Sequence, residues 1–434
     1  MQHLKKELGL MELTLYGVGV ILGAGIYALI GVGAGIAGNA VWLSFTIAAF
    51  IAALTGLSYA ELSSMYPKSA AEYNYSKHAF NNKTLSFGIG FLMIVASTVA
   101  AVTVALGFAG YFTHSFGGSV QWVAAALLLA LSVLNYRGIK ESSQFNMLST
   151  LIETAGLLVV VFVGVLAFNG SGVRFDLLET PDGAGLPGIL AATAIIFFAY
   201  LGFEDVVNVS EETRNARKVV PKALVISIVV STALYILVAL SAVNVLGWER
   251  LAESKAPLTE VVSAVIPNTD FVFSLIALFA TANTSLVLLI VASRVIYGMS
   301  KDNALPGIFS RIGSRGTPGH SVLLVALASV LLALSFDIKT VAGITDFSLF
   351  LVYASVNASL IMLRYSQPSA PRAFRTPLNA GKFPLLAFFG LVSSLFMLQY
   401  FEVFVVVMSL AVIAFGLALH YLLEKSREAV NGLR

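Results

Sequence analysis

The stretch GVGVILGAGIYALIGVGAG, residues 17–35, is apolar throughout and carries seven glycines. It is about long enough to cross a bilayer, which takes roughly 20 residues at about 1.5 Å of rise each. Its middle is nevertheless weak helix, since an interior glycine costs roughly 1 kcal/mol relative to alanine. Gly23 and Gly25 flank Ala24 at bilayer depth, where the backbone can unwind. In lipid, freed amides and carbonyls survive only where they line a cavity and a bound carboxylate or ion satisfies them. Close helix packing of the small-xxx-small kind is the other reading, and this segment alone leaves both open.

A second stretch, FFAYLGFED at residues 197–205, sets Glu204 and Asp205 just after Gly202, again near mid-membrane. A carboxylate at that depth costs about 2.5–3.5 kcal/mol, so it should face a wet cavity, a partner or a proton. The two glycine-interrupted spans stand five helices apart. Such a pair in corresponding positions of two halves points to an inverted-repeat transporter with its site at the repeat interface.

The rest of the chain is built to lie in a membrane. It is 58% hydrophobic and only 11% charged, with a mean hydropathy of +0.88, whereas a soluble protein carries about 25% charged residues. With no cysteine, disulfides, thiolate metal sites and cysteine nucleophiles are excluded. Punctuation by charged and Gly/Pro-rich clusters predicts about twelve spans: 12–37, 40–65, 86–113, 119–135, 144–168, 187–212, 221–246, 270–299, 319–335, 340–364, 383–401 and 403–423. The fold class expected is therefore an all-α polytopic membrane protein. Residues 1–168 form a first five-helix repeat, 187–364 a second and inverted one, and 383–423 two further helices.

Lysine and arginine position supports the count. With a cytoplasmic N-terminus, 22 basic residues fall on the cytoplasmic side, and only Arg174, Arg250, Lys255 and Lys339 fall outside. One missed or invented span would invert every later loop, so the asymmetry predicts both termini in the cytoplasm of a multi-pass protein of the cell membrane. The polar segment from about Ser69 to Asn82, with Tyr73, Tyr75 and Phe80 interleaved, suits an interfacial helix, a cytoplasmic gate or a plain connection.

Several motifs in order carry a resemblance. They are Gly23-Ala24-Gly25-Ile26-Tyr27; Ser58-Tyr59-Ala60-Glu61-Leu62 with Tyr66-Pro67; Gly138-Ile139-Lys140-Glu141-Ser142; Phe197 to Glu204; Glu211-Glu212; and Ser293-Arg294 followed by Met299-Ser300-Lys301-Asp302 and Leu305-Pro306. Through them the chain resembles the amino acid, polyamine and organocation (APC) transporter superfamily over most of its length. Within it, the chain is most similar to prokaryotic proton-coupled amino acid transporters akin to cationic amino acid transporters. It departs at Ala70-Ala71, where the family usually has a glycine pair, and at Asn215-Ala216, where the family has Asn-Pro, with Pro221 retained. Both departures fall in cytoplasmic connections.

The resemblance implies a five-plus-five inverted repeat with an amino acid bound between broken helices one and six. Amides around Gly23, Ala24, Gly25 and Ile26 would hold the substrate carboxylate, as helix N-termini hold anions. Carbonyls near Phe198, Ala199 and Leu201, beside Gly202, would take its ammonium. Phe198 stands at the family's aromatic lid position and would gate the site. Thr98, Asn283, Thr284 and Ser285 are further pocket candidates.

For coupling, Glu153 stands out. It lies about nine residues into span five, hence about 14 Å deep, and no other charge accompanies it there. Counted from Gly138-Ile139-Lys140-Glu141-Ser142, it occupies the position of a lysine in similar proton-coupled members, so the sign of the charge is reversed. Burial disfavours a charged carboxylate, so Glu153 can load and release a proton. It can equally attract sodium with a span-eight hydroxyl such as Ser285, or pair with a cationic substrate. Glu204 is a second proton candidate, because the family has an acidic residue at this place; Asp205 is read as a flank and Glu61 as a gate or salt-bridge residue.

The expected function is proton-coupled symport of L-amino acids, with a neutral side chain favoured. The rivals are a sodium-coupled or ion-independent exchanger of cationic amino acids or polyamines, and an amino acid sensor on a transporter fold. Predicted tails of about ten residues offer a sensor little to signal with. An enzyme is not expected, since neither a buried His pair nor a His-Glu-x-x-His pattern occurs, and a channel would need a continuous polar pore. The partners expected are a small-molecule amino acid, a proton or sodium ion, and the lipid bilayer. No cofactor, metal or nucleic acid is expected, and oligomeric state is left open.

Overall fold

A computed structural model of the chain describes residues 8–68, 70–171, 176–181, 183–254, 256–313, 315–336 and 338–432. Lys5, Lys6, Ser69, Arg174, Lys255 and Arg434 of the sequence reading lie outside the described residues, as do the side chains of Ile139-Lys140-Glu141-Ser142.

The protein is an all-α polytopic membrane protein, and its helices follow the twelve expected spans. The first span is split into α1 (Leu10–Leu22) and α2 (Ala24–Ala37), and the second is α3 (Val41–Met65). A helix in the connection after span two, α4 (Ala71–Phe80), precedes α5 (Lys83–Phe116), α6 (Val120–Arg137) and α7 (Ile139–Ser171), the third to fifth spans. The sixth span runs through α8 (Gly185–Ile196), a 3-10 turn (Phe197–Tyr200) and a four-residue helix α9 (Asp205–Asn208). The seventh is α10 (Ala216–Leu246). Two short helices, α11 (Trp248–Glu253) and α12 (Pro257–Ser263), then precede the eighth span, α13 (Asp270–Lys301). The last four spans are α14 (Gly319–Ser335), α15 (Ile338–Ser366), α16 (Leu385–Met397) and α17 (Val403–Gly432). A two-residue hairpin, β1 (Asn379–Ala380) with β2 (Phe383–Pro384), joins the tenth span to the eleventh.

Among the described residues ten helical stretches are long and apolar enough to cross a membrane, and α14 and the Leu385–Tyr400 stretch are shorter apolar helices. The polar segment after the second span is α4, most of whose residues are buried. Two differences from the sequence reading stand out. The connection after span seven folds into α11 and α12, and α11 lies against the first span: a Cβ on Gly31 would come within 2.5 Å of the Leu251 carbonyl. The twelfth span also continues as helix to Gly432 rather than stopping near residue 423.

Packing concentrates spans one, three, six, eight and ten at the centre. The helix α13 packs along α5, α10 along α3, and α1 between α10 and α7. Spans four, five, nine and twelve turn Leu, Val and Phe side chains outward, as a lipid-facing surface does.

Candidate functional site

The first span breaks at Gly23, whose backbone (φ −51°, ψ −144°) is not helical. That exposes the first amides of α2, and Ala24 N–H donates to Thr284 Oγ1 on α13 at 3.1 Å. The hydroxyl is admitted because Gly23 has no side chain: a Cβ there would lie 1.5 Å from it. Helix break and close packing both occur, at different glycines. Gly23 marks the break, whereas Gly19 and Gly33 are packing positions against Thr150 and Ile196.

The sixth span breaks over residues 197–204. The 3-10 turn ends at Leu201, whose ψ of 144° is extended, and Gly202 follows with φ +108°. Only glycine fits there, since the backbone is left-handed and a Cβ would meet Val20 at 2.2 Å. Glu204 closes the turn by accepting the Gly202 amide at 3.1 Å.

The two breaks touch. A Cβ on Gly25 would come within 2.3 Å of Ala199 Cα, so glycine is what lets the second half of span one lie against the sixth-span turn. Tyr235 of α10 joins them from the side: its hydroxyl bonds the Ala199 carbonyl at 2.9 Å and also meets the Ile21 carbonyl. Of the carbonyls expected to take an ammonium, Ala199 is thus occupied by Tyr235, and Phe198 accepts the Leu201 amide at 3.2 Å. The Phe198 side chain is buried in this turn, as are Ile26 and Leu201.

The other predicted residues divide between two places. Thr98 is buried on the third span, its hydroxyl turned back to the Ile94 carbonyl of its own helix. Ser285 donates to the Ala101 carbonyl at 3.0 Å and ties span eight to span three. Glu153 is fully buried, and its partner on span eight is Asn283, whose amide reaches Glu153 Oε1 at 3.3 Å. The Tyr27 hydroxyl donates to the Glu153 backbone carbonyl at 3.2 Å, which connects the coupling candidate to the second half of the broken first span. Among the described residues no lysine or arginine forms an ion pair with Glu153.

Three acidic groups and one hydroxyl carry more than the sequence reading gave them. Asp205 is fully buried, and neither of its carboxyl oxygens has a hydrogen-bond partner. Asp346 is a buried acid in the tenth span with Oδ1 unpartnered. A lone acid inside an apolar helix was a readable signal, the one that singled out Glu153. Glu72 of α4 is buried as well, and Asn208 holds it at 3.3 Å while accepting the Ala71 amide at 3.1 Å. Burial pushes the Glu72 carboxyl up to about 7, against hydrogen bonds from its own backbone and Asn208. Tyr235 had no sequence signal, because a tyrosine in an apolar span looks like any core aromatic.

Ion pairs close the end of the molecule where α1 begins. Glu61 lies between Arg364 (2.7 Å) and Arg372 (3.0 Å), all largely buried, and accepts the Thr376 amide at 2.8 Å. Arg294 and Glu212 pair at 3.6 Å, both buried, and Lys301 meets Glu211 at 3.2 Å. Lys77 of α4 pairs with Asp302. Leu8 strands beside Thr213, with Leu8 N–H to Glu212 O at 3.1 Å and Arg214 N–H to Leu8 O at 2.8 Å, so the start of the chain straps the end of the sixth span.

Comparison with known proteins gives this arrangement a context. The sequence profile of the amino acid permease family matches residues 8–419. The branched-chain amino acid permease BcaP of Bacillus subtilis is 29% identical over 453 residues, covering 99% of this chain and 95% of that protein. The methylthioribose transporter of the same organism is 30% identical over 400 residues, covering 87% of this chain and 85% of that protein. Cationic amino acid transporter 3, mitochondrial, of Arabidopsis thaliana is 29% identical over 392 residues, with 85% of this chain and 64% of that protein covered.

Proposed function

Because the chain belongs to the amino acid permease family, we propose that it is a secondary active transporter that moves L-amino acids by alternating access, driven by proton symport. The observation that carries the reading is the contact of two broken helices at Gly25 and Ala199 deep in the bundle. Unwound backbone at that depth supplies amides for a carboxylate and carbonyls for an ammonium, the two groups every amino acid shares. In this reading residues 1–168 and 187–364 are the two inverted repeats, and Phe198 closes over the occupied site.

The substrate sits against the amides of residues 23–26 and the carbonyls of residues 198–201. In the arrangement described above, Thr284 and Tyr235 hold two of these groups, Ala24 N–H and Ala199 C=O. Substrate binding exchanges those hydrogen bonds for its own, so the breaks are kept satisfied in the absence of cargo. A neutral aliphatic side chain suits the small and aromatic lining, and the name of the Bacillus subtilis relative, a branched-chain amino acid permease, agrees with it.

Glu153 is the proton carrier in this proposal. A carboxylate buried without a cation must be neutralised or paired, and a proton is the smallest partner that does so. Its neutral form keeps the Asn283 bond, and the Tyr27 hydroxyl on the backbone carbonyl of Glu153 holds the residue against the second half of the broken first span. A second reading, exchange of cationic substrates, is favoured by the same unpaired carboxylate and by the relatives named cationic amino acid transporters.

The test is uptake of a labelled amino acid mixture into sodium-free proteoliposomes, with and without an inward proton gradient. Accumulation only with the gradient is expected, and Glu153→Gln should lose that dependence while keeping counterflow. Equal counterflow regardless of gradient in the wild type, or a requirement for sodium, would replace proton symport by exchange or sodium coupling.

A further inference from the structure

Between spans four and nine runs a groove with about 620 Å³ of space, remote from the helix breaks. Its walls are aliphatic, with Leu129 and Val133 on α6 facing Leu323 on α14, and all three are exposed on the outer surface of the bundle. In a membrane that surface meets acyl chains, so the walls fit hydrocarbon.

One end of the groove is different. Arg311 and His320 line it there, and Arg315 lies nearby over the Tyr136 ring at 5.7 Å. Among the described residues the lining holds no Asp or Glu, and neither arginine takes part in an ion pair. The 17-residue helix α14 begins at this end with no side-chain cap; the Gly319 amide is taken by the Thr317 carbonyl at 3.0 Å, and the amides of His320 and Ser321 and the positive end of the dipole add to the basic rim. Gly319 lets the helix start close to the rim: a Cβ there would stand 2.8 Å from the Tyr136 ring.

Below the rim, Ser132 lines the groove, is 6% exposed, and has a hydroxyl with no hydrogen-bond partner. A buried hydroxyl left unpaired costs about 1–3 kcal/mol, so it calls for a polar group from whatever fills the groove. The groove thus joins a cationic rim, a lone hydroxyl about one helical turn in from Tyr136, and hydrocarbon wall that flanks the hydroxyl at Val133 and continues deeper at Leu129. A phospholipid presents the complementary groups: anionic phosphate, glycerol-ester oxygens, acyl chain.

We propose that the groove between α6 and α14 is a binding site for one anionic phospholipid, with phosphate on Arg311, His320 and the α14 N-terminus, ester oxygens at Ser132, and a chain along Leu129, Val133 and Leu323. Free phosphate would use the rim alone and leave Ser132 and the aliphatic walls unused. The site does not depend on the transported substrate or on the coupling ion.

Native mass spectrometry of the detergent-purified full chain, titrated with phosphatidylglycerol or phosphatidylcholine, tests this. Wild type should retain one phosphatidylglycerol in preference to phosphatidylcholine. Arg311→Gln, at an exposed position that leaves the fold intact, should reduce phosphatidylglycerol retention about fivefold, the equivalent of about 1 kcal/mol per basic residue near a lipid headgroup. Ser132→Leu, which fills the groove without touching the rim, should weaken retention of both lipids. Equal retention of the two lipids by wild type, unchanged retention in Arg311→Gln, or displacement of phosphatidylglycerol by inorganic phosphate at equal concentration would each overturn the assignment.

Discussion

A single methyl group is enough to test how closely the two breaks depend on each other. Gly25 lies against the Ala199 backbone, and a Cβ placed at 2.3 Å from Cα cannot be absorbed by a rotamer change. Gly25→Ala must therefore push the sixth-span turn away, at a cost of about 1–3 kcal/mol for overpacking. The same substitution at Gly110 of α5 meets nothing within 4 Å. Gly25→Ala is expected to lower the melting temperature and abolish uptake, while Gly110→Ala keeps both near wild type. Wild-type uptake by Gly25→Ala would show that contact between the breaks is dispensable. The glycine was legible as a point of weakness in the sequence; what presses on it was not. Ala199 is 174 positions away, Thr284 is 260 away from Ala24, and no local pattern announces either. The same holds for Tyr235, which reaches carbonyls on two different spans.

At the scale of elements, α4 is the piece whose docking should respond to pH. Its N-terminus is held on the sixth span by Asn208, which serves the Ala71 amide and the Glu72 carboxyl together. Burial in the docked position pushes the Glu72 carboxyl up to about 7, from an ordinary value of 4.5. The docked helix thus binds more protons than the released one between those limits. Its contribution is full below the ordinary value and is lost as pH rises towards about 7, by an amount of about 3 kcal/mol at most. Hydrogen-exchange protection of residues 71–80, corrected for intrinsic rates, should fall between about pH 5 and about pH 8. In Glu72→Gln the protection should be flat over that range. A wild-type profile as flat as the variant's would remove Glu72 from control of this helix. The sequence marked the segment as polar and left an interfacial helix, a gate and a plain connection open; it is a helix, and its burial was hidden, because Glu72 is covered by a neighbour distant in the chain.

For the whole molecule, the span count was legible because twenty apolar residues and a charged or Gly/Pro-rich loop recur with little ambiguity. The inward face of each span was not. In a membrane both faces are apolar, so no amphipathic period separates the inward side of a span from its lipid side, and only an isolated polar residue such as Asp346 marks it. Orientation is different again, since it rests on where lysine and arginine fall. The chain contains no cysteine, so single cysteines can be introduced without preparing a cysteine-free background. Glu249 is exposed on α11, in the connection after span seven, and Lys218 is exposed at the start of α10. They lie at opposite ends of one helix, and the basic-residue asymmetry puts Lys218 inside and Glu249 outside. In intact cells a membrane-impermeant maleimide should label Glu249→Cys and leave Lys218→Cys unlabelled, and permeabilisation should make Lys218→Cys reactive. The reverse pattern would invert the molecule, placing the ion pairs at Glu61, Glu212 and Asp302 on the outer face. In the proposed transport cycle those pairs would then stand at the entrance from outside rather than at the exit into the cell, so the labelling pattern decides which of the two faces they lie on.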